Sequence, residues 1–173
     1  MNYIFLDIDG VMNNRTDRVR KIKNNLERFK GHSMFCDEAW SLLASACRKT
    51  KAKIILSSSW RMGIAVYIED GAKPQFKPSN ENDYYTSKLL EYFSSYNIEL
   101  VGLTTFNYDY RGNQIMQYVK EHFNDTDNWL VIDDEIDDME NIPKEKIIQI
   151  NLSTGLLPEH CERIIKYFNK KKH

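Results

Sequence analysis

Apolar residues follow two rhythms along this chain. Tyr3-Ile4-Phe5-Leu6, Lys53-Ile54-Ile55-Leu56, Ile98 to Val101, Trp129-Leu130-Val131-Ile132 and Ile147 to Ile150 are short β-rich runs and read as strands. Between them, apolar residues recur every third or fourth position. Trp40, Leu43, Ala44 and Cys47 mark a helix after Asp37, with Asp37 as its expected N-cap. Leu89, Leu90 and Phe93 mark a helix from about Tyr85 to Tyr96, and Ile115, Val119 and Phe123 mark another from Gly112 to Phe123. A closing helix runs from Pro158 to Phe168, with the proline in its first turn. Strands alternating with helices predict βαβ units around a mainly parallel sheet.

Two stretches resist this pattern. Residues 13–36 are polar and basic, and residues 61–84, with Gly63, Gly71, Pro74 and Pro78, read as a loop or small insertion. Neither is long enough to be a separate domain, so residues 1–173 are expected to form one. The composition is that of a soluble globular chain, with 42% hydrophobic and 28% charged residues. The net charge of -1 argues against a uniformly basic nucleic-acid-coating protein. No apolar run approaches the ~18–20 residues needed to span a bilayer, and the first residues lack the basic start of a signal peptide. Cys36, Cys47 and Cys161 are an odd set without CxxC spacing, so buried thiols in a reducing cytoplasm are expected.

The polar residues that end the strands carry the chemistry. Asp7 and Asp9 follow the first run, Ser57 to Ser59 the second, and Asp133 and Asp134 a later one. The carboxyl ends of parallel strands open into the crevice where such sheets bind ligands. A single Asp at such a position can be no more than a strand end or a cap. Two acidic pairs and a serine run at three strand ends point to a site. Carboxylates that converge repel each other unless a cation lies between them, and hard oxygen donors suit magnesium.

Here the chain resembles the haloacid dehalogenase (HAD) superfamily. Phe5-Leu6-Asp7-Ile8-Asp9-Gly10-Val11 is similar to its first motif, DxDG[TV]. Ile54-Ile55-Leu56-Ser57 is similar to the second motif, and Val131-Ile132-Asp133-Asp134 to the acidic fourth. Ser57-Ser58-Ser59-Trp60-Arg61 and Arg111-Gly112-Asn113-Gln114-Ile115 resemble a subgroup of small HAD domains, some of them attached to RNA-repair enzymes. The resemblance implies a three-layer, Rossmann-like α/β fold with a minimal cap and a phosphatase working through an aspartyl-phosphate. Asp7 would be the nucleophile and Asp9 the general acid and base. Magnesium would be held by Asp7, the carbonyl of Asp9, and Asp133 or Asp134. Ser57 would bond a phosphoryl oxygen, and Gly10 would allow close backbone approach. Arg111 is the expected cation between the second and fourth motifs, with Lys88 as the alternative. Asp137 or Asp138 either orients the metal's waters or begins a helix. Ser58 and Arg61 are expected to bind substrate. For Trp60 and Arg61, lining the site competes with ordinary core packing and ion pairing.

The substrate is less defined. Too few residues remain for a large cap, and an open site often goes with macromolecular substrates. Residues 15–30 include Arg15, Arg18, Arg20, Lys21, Lys23, Arg28 and Lys30 against Asp17 and Glu27, a net charge of +5. That segment would attract a nucleic-acid backbone or another polyanion, unless it is simply a solvated face. Tyr84, Tyr85, Tyr108 and Tyr110 could stack on bases. None of His32, His122, His160 or His173 lies in a motif. The reading is a magnesium-dependent phosphomonoesterase, with nucleotide or nucleic-acid-end phosphates favoured over sugar phosphates and phosphoproteins. The alternative is a non-enzymatic module that binds phosphate or a partner. Competent residues at every catalytic position count against it. A receiver-like phospho-acceptor domain fits less well, because its acidic pair and acceptor occur in a different order.

Overall fold

A computed structural model describes residues 1–24, 35–69, 72–107 and 110–170. Five strands form one parallel sheet: β1 (Asn2–Leu6), β2 (Ala52–Leu56), β5 (Leu100–Leu103), β6 (Asn128–Asp133) and β7 (Ile147–Gln149), in the order β5-β2-β1-β6-β7. The chain first builds outward from β1 to β2 and β5, then crosses back to lay β6 on the other side of β1. The strand order therefore reverses beside β1, and the crevice at such a reversal is where open α/β sheets bind ligands.

Helices cover both faces, as predicted. Alternate residues of the central strands point to opposite sides. Ile4, Leu6, Ile54, Leu56, Leu130 and Ile132 pack into one cluster with Trp40 and Leu43 of α2 (Asp37–Thr50), Leu89 and Phe93 of α3 (Tyr84–Ser95), and Ile164 and Phe168 of α5 (Pro158–Lys170). Phe5, Ile55, Trp129 and Val131 face the other way, against Ile115 of α4 (Arg111–His122) and Met139 and Ile142. Burial on both faces is why these strands read as unbroken apolar runs rather than alternating ones. Cys36, Cys47 and Cys161 are buried free thiols.

The structure changes the two unassigned stretches. Within 13–36, α1 (Arg15–Lys23) is a helix capped by the Asn14 side chain, which accepts from the Asp17 N–H at 2.8 Å. Its basic residues are not all on the surface. Lys21 is buried, pairs with Asp17 at 2.7 Å and donates to the Phe35 carbonyl at 2.6 Å. Arg28 and Lys30 of the basic segment, His32, Gly71, Tyr108 and His173 lie outside the described residues. Within 61–84, β3 (Ile64–Tyr67) and β4 (Gln75–Pro78) form a small antiparallel hairpin.

Two local expectations are corrected. The N-cap of α2 is Cys36, without a side-chain cap bond. Asp37 is the first helical residue and accepts from the hydroxyls of Tyr92 at 3.0 Å and Tyr96 at 3.1 Å. The strand expected from Ile98 begins at Leu100. Asn97 takes a left-handed conformation (φ 54°), and the Ile98 N–H returns to the Phe93 carbonyl at 2.9 Å. Ile98 therefore belongs to the helix's C-terminal lock. Among the described residues no helix is long and apolar enough to cross a membrane.

Candidate active site

Strand register builds the centre of the site. Leu6 lies opposite both Leu56 and Ile132, so the next residues of three parallel strands, Asp7, Ser57 and Asp133, emerge side by side. The Asp7 N–H bonds the Ile132 carbonyl and the Ser57 N–H the Leu6 carbonyl, each at 3.0 Å, so the backbone stays fixed where the side chains leave the sheet. Asp7, Ser57, Ser58 and Asp133 are buried and Asp134 is half-buried. Carboxylate oxygens of Asp7, Asp133 and Asp134 all lie within 4.8 Å of one another. Both members of the late acidic pair thus reach the cluster.

Burial pushes the Asp7 carboxyl up to about 7, with help from the charge of Asp133 and against the opposing pull of Arg111. Burial raises Asp133 too, partly offset by Arg111. Arg111 sits at 3.2 Å from Asp7 and closer still to Asp133. Two buried carboxylates with one guanidinium, and a third carboxylate beside them, leave negative charge uncompensated. A divalent cation with hard oxygen preference fits that deficit and donor set. Lys88, the alternative cation, pairs instead with Glu91 of its own helix at 2.7 Å.

Arg111 is placed by the turn after β6. Asp138 accepts from the Arg111 N–H at 2.8 Å, and its carbonyl accepts from the Gly112 N–H at 3.2 Å. Asp138 therefore holds the start of α4, 27 residues earlier in the chain, rather than beginning a helix of its own. A Cβ at residue 112 would meet that carbonyl at 2.8 Å, so only glycine lets the helix start so close to the turn. Gly10 is required for a related reason. Its φ is 73°, and a Cβ there would overlap the Asp134 carboxylate. The glycine lets the first-motif loop and the fourth-motif acid share one space.

The Ser57 hydroxyl is buried with no hydrogen-bond partner among the described residues, as is that of Thr104 at the end of β5. A buried hydroxyl of this kind at a strand end is suited to bond a phosphoryl oxygen. Arg61, by contrast, is not a free phosphate binder. Its guanidinium donates to the carbonyls of Ser57 and Ser58 (each 2.6 Å), Thr104 (3.0 Å) and Thr105 (3.3 Å) and to Gln114 Oε1 (2.6 Å), and it stacks over Phe106. It is buried and braces the loops after β2 and β5. A lone arginine after a serine run looks the same in sequence in either role.

Asp9 is exposed at the rim. Its two oxygens accept from Asn13 Nδ2 at 2.7 Å and Trp60 Nε1 at 2.9 Å. The Trp60 ring packs on Phe35, 5.3 Å between centroids. Trp60 thus does both things the sequence left open, lining the site and packing on the core. A groove of about 900 Å³ opens from Asp9 and Gly10 and is lined by Arg15, Arg18, Val19, Ile22, Tyr85 and Leu152. Sequence order alone gave no reason to bring Leu152 or Tyr85 to α1.

A parallel α/β sheet with a DxDG loop at its centre, a serine on one neighbouring strand and an acidic pair on the other defines a HAD-type domain. The chain belongs to the family described as the HAD domain in Swiss Army Knife RNA repair proteins, whose model matches residues 3–161. No curated protein and no solved structure matches significantly. The family places the chain in a superfamily of phosphatases and other hydrolases.

Proposed function

We propose that the protein is a magnesium-dependent phosphomonoesterase that works through an aspartyl-phosphate on Asp7. The observation that supports this most strongly is the convergence of Asp7, Asp133 and Asp134 beside Arg111 and the unpartnered Ser57 hydroxyl. Asp7, Asp133, Asp134 and the Asp9 carbonyl would hold magnesium. When bound, it supplies the positive charge that lets an anionic nucleophile approach an anionic phosphate. Asp7 Oδ attacks phosphorus as the bond to the leaving oxygen breaks, and Asp9 gives that oxygen a proton. Asp9 then takes a proton from water, the water oxygen attacks phosphorus, and the bond to Asp7 breaks to release phosphate. Arg111 and the Ser57 hydroxyl bind the phosphoryl oxygens throughout, and the Gly10 backbone lies beside them. Ser58, buried next to Ser57, would join them in holding the phosphoryl group.

Because Asp9 protonates the leaving oxygen, the leaving group extends over Asp9 and into the groove beyond it. Arg15 and Arg18 line the groove together with Tyr85, Val19, Ile22 and Leu152. That mixture suits a nucleoside carrying a further phosphate better than a sugar or a peptide, so we favour a nucleic-acid end or nucleotide as substrate. The family description, which names RNA repair proteins, supports the same substrate. The test is turnover of an aryl phosphate with and without magnesium, then a panel of oligonucleotide 3′- and 5′-phosphates, sugar phosphates and phosphopeptides. Absence of turnover across that panel would leave the non-enzymatic phosphate-binding module as the better reading. Faster turnover of sugar phosphates than of oligonucleotide ends would remove the nucleic-acid assignment.

A further inference from the structure

The contacts of Asp9 assign a job to two residues outside the four motifs. Trp60 Nε1 donates to one carboxylate oxygen at 2.9 Å and Asn13 Nδ2 to the other at 2.7 Å. Asn13 is itself fixed, since its Oδ1 accepts from the Gly10 N–H at 3.0 Å. The indole is fixed from behind. Its ring packs on Phe35, which is fully buried and in turn meets Trp40 and Tyr92 edge-on at 5.8 and 4.9 Å. An exposed carboxylate is ordinarily free to rotate about its side-chain torsions. This one is held at both oxygens by donors that the aromatic core and the loop backbone keep in place. Each oxygen retains a second acceptor position, so a proton can still be carried.

We propose that Trp60, assisted by Asn13, is the positioning residue of the general acid and base. The proposal rests on the assignment of Asp9 to proton transfer made above. Trp60 is the second residue of the 3-10 turn Ser59–Gly63, which directly follows the second-motif Ser57 and Ser58. The chain thereby couples the phosphate-binding strand end to the orientation of the acid, two parts that come from different strands. The indole N–H has no acceptor role and no titration near neutral pH. It orients the carboxylate, and misplacing a reacting group by about 1 Å can cost about 100-fold in rate.

Leaving-group dependence separates positioning from a structural effect. An alkyl phosphate needs its leaving oxygen protonated, whereas a nitrophenyl phosphate does not. Trp60→Phe removes the N–H and keeps an aromatic ring on Phe35. It is expected to lower kcat/KM, which reports the steps up to departure of the leaving group, by about 10-fold or more on an alkyl phosphate and by less than about 3-fold on the nitrophenyl ester. In an Asp9→Asn background, Trp60→Phe is expected to add no further loss on the alkyl ester. A second readout needs no turnover. The indole ¹⁵N–¹H resonance assigned to Trp60, one of three tryptophans, is expected to shift in Asp9→Ala. Equal losses of kcat/KM on the two esters, a further loss in the Asp9→Asn background, or an unmoved resonance would each overturn the positioning role. Wild-type protein inactive on both esters would overturn the phosphatase assignment and the positioning role with it. Active wild type with unchanged Trp60→Phe would overturn the positioning role alone.

Discussion

At the scale of single residues, the site is a balance of buried charge. Asp7 and Asp133 hold their protons more tightly in the folded protein than in the unfolded chain. From the ordinary carboxylate range up to about 7, the folded state therefore binds more protons. Without metal, stability should fall as pH rises through that window, by up to ~1.4 kcal/mol per pH unit for each carboxylate. Asp7→Asn should reduce this slope and raise the metal-free melting temperature at pH 8, while lowering phosphatase activity by about 10³-fold or more. Thermal melts from pH 5 to 8 check the sign, and a wild-type melting temperature that rises with pH would contradict it. Arg61 makes a contrasting case. Arg61→Ala strands several buried carbonyls and should cost about 3 kcal/mol, roughly 6–12 °C in melting temperature for a chain of this size. A stable variant with only KM raised would instead restore Arg61 as a phosphate contact. The motif serines and aspartates were legible in the sequence because they directly follow apolar runs. Arg61 and Trp60 were not assignable, because hydrogen-bond partners dozens of residues away decide what those side chains do.

At the scale of elements, positions depend on how helices begin. α4 starts on the turn after β6 because Asp138 accepts from its first N–H and Gly112 admits the Asp138 carbonyl. Asp138→Ala should cost about 1 kcal/mol of stability. It should also raise KM for phosphate esters several-fold by letting Arg111 drift from Asp7, a change that steady-state kinetics on an aryl ester would reveal. α1 was hidden in sequence by its charge, which leaves no amphipathic stripe for periodicity to detect. Its lysines and arginines divide by face. Lys21 is anchored inside, so a test of substrate attraction belongs on Arg15 and Arg18. Changing both to Gln should slow turnover of a 5′- or 3′-phosphorylated oligonucleotide at least about 10-fold more than that of an aryl phosphate, and the difference should shrink as salt rises. Equal effects on both substrates would argue that α1 is only a solvated face.

At the scale of the whole molecule, the near-neutral charge separates into an acidic centre at the strand ends and a basic wall along α1. Magnesium binds ionised carboxylates, so it should raise the melting temperature more at pH 8 than at pH 5, by several degrees at saturation, and chelation should reverse the gain. A thermal shift that is equal at the two pH values would place the metal elsewhere. Beyond the sheet and its covering helices, the described residues add helix α1, which lines the groove, and the hairpin β3–β4; in sequence the first read as a polar, basic stretch and the second as a loop or small insertion.

The order of the sheet strands and their covering helices, the two-faced burial of β1, β2 and β6, and the polar residues at their ends were written in the sequence. Periodicity and strand-end polarity are local signals that survive without knowing what lies next to what. The tertiary structure alone decided which charges face each other. Register brought Asp7, Ser57 and Asp133 level, the return crossover placed Arg111 over two of them, and a tryptophan 51 positions away took hold of Asp9. Such pairings depend on distance in space, which a linear pattern does not encode.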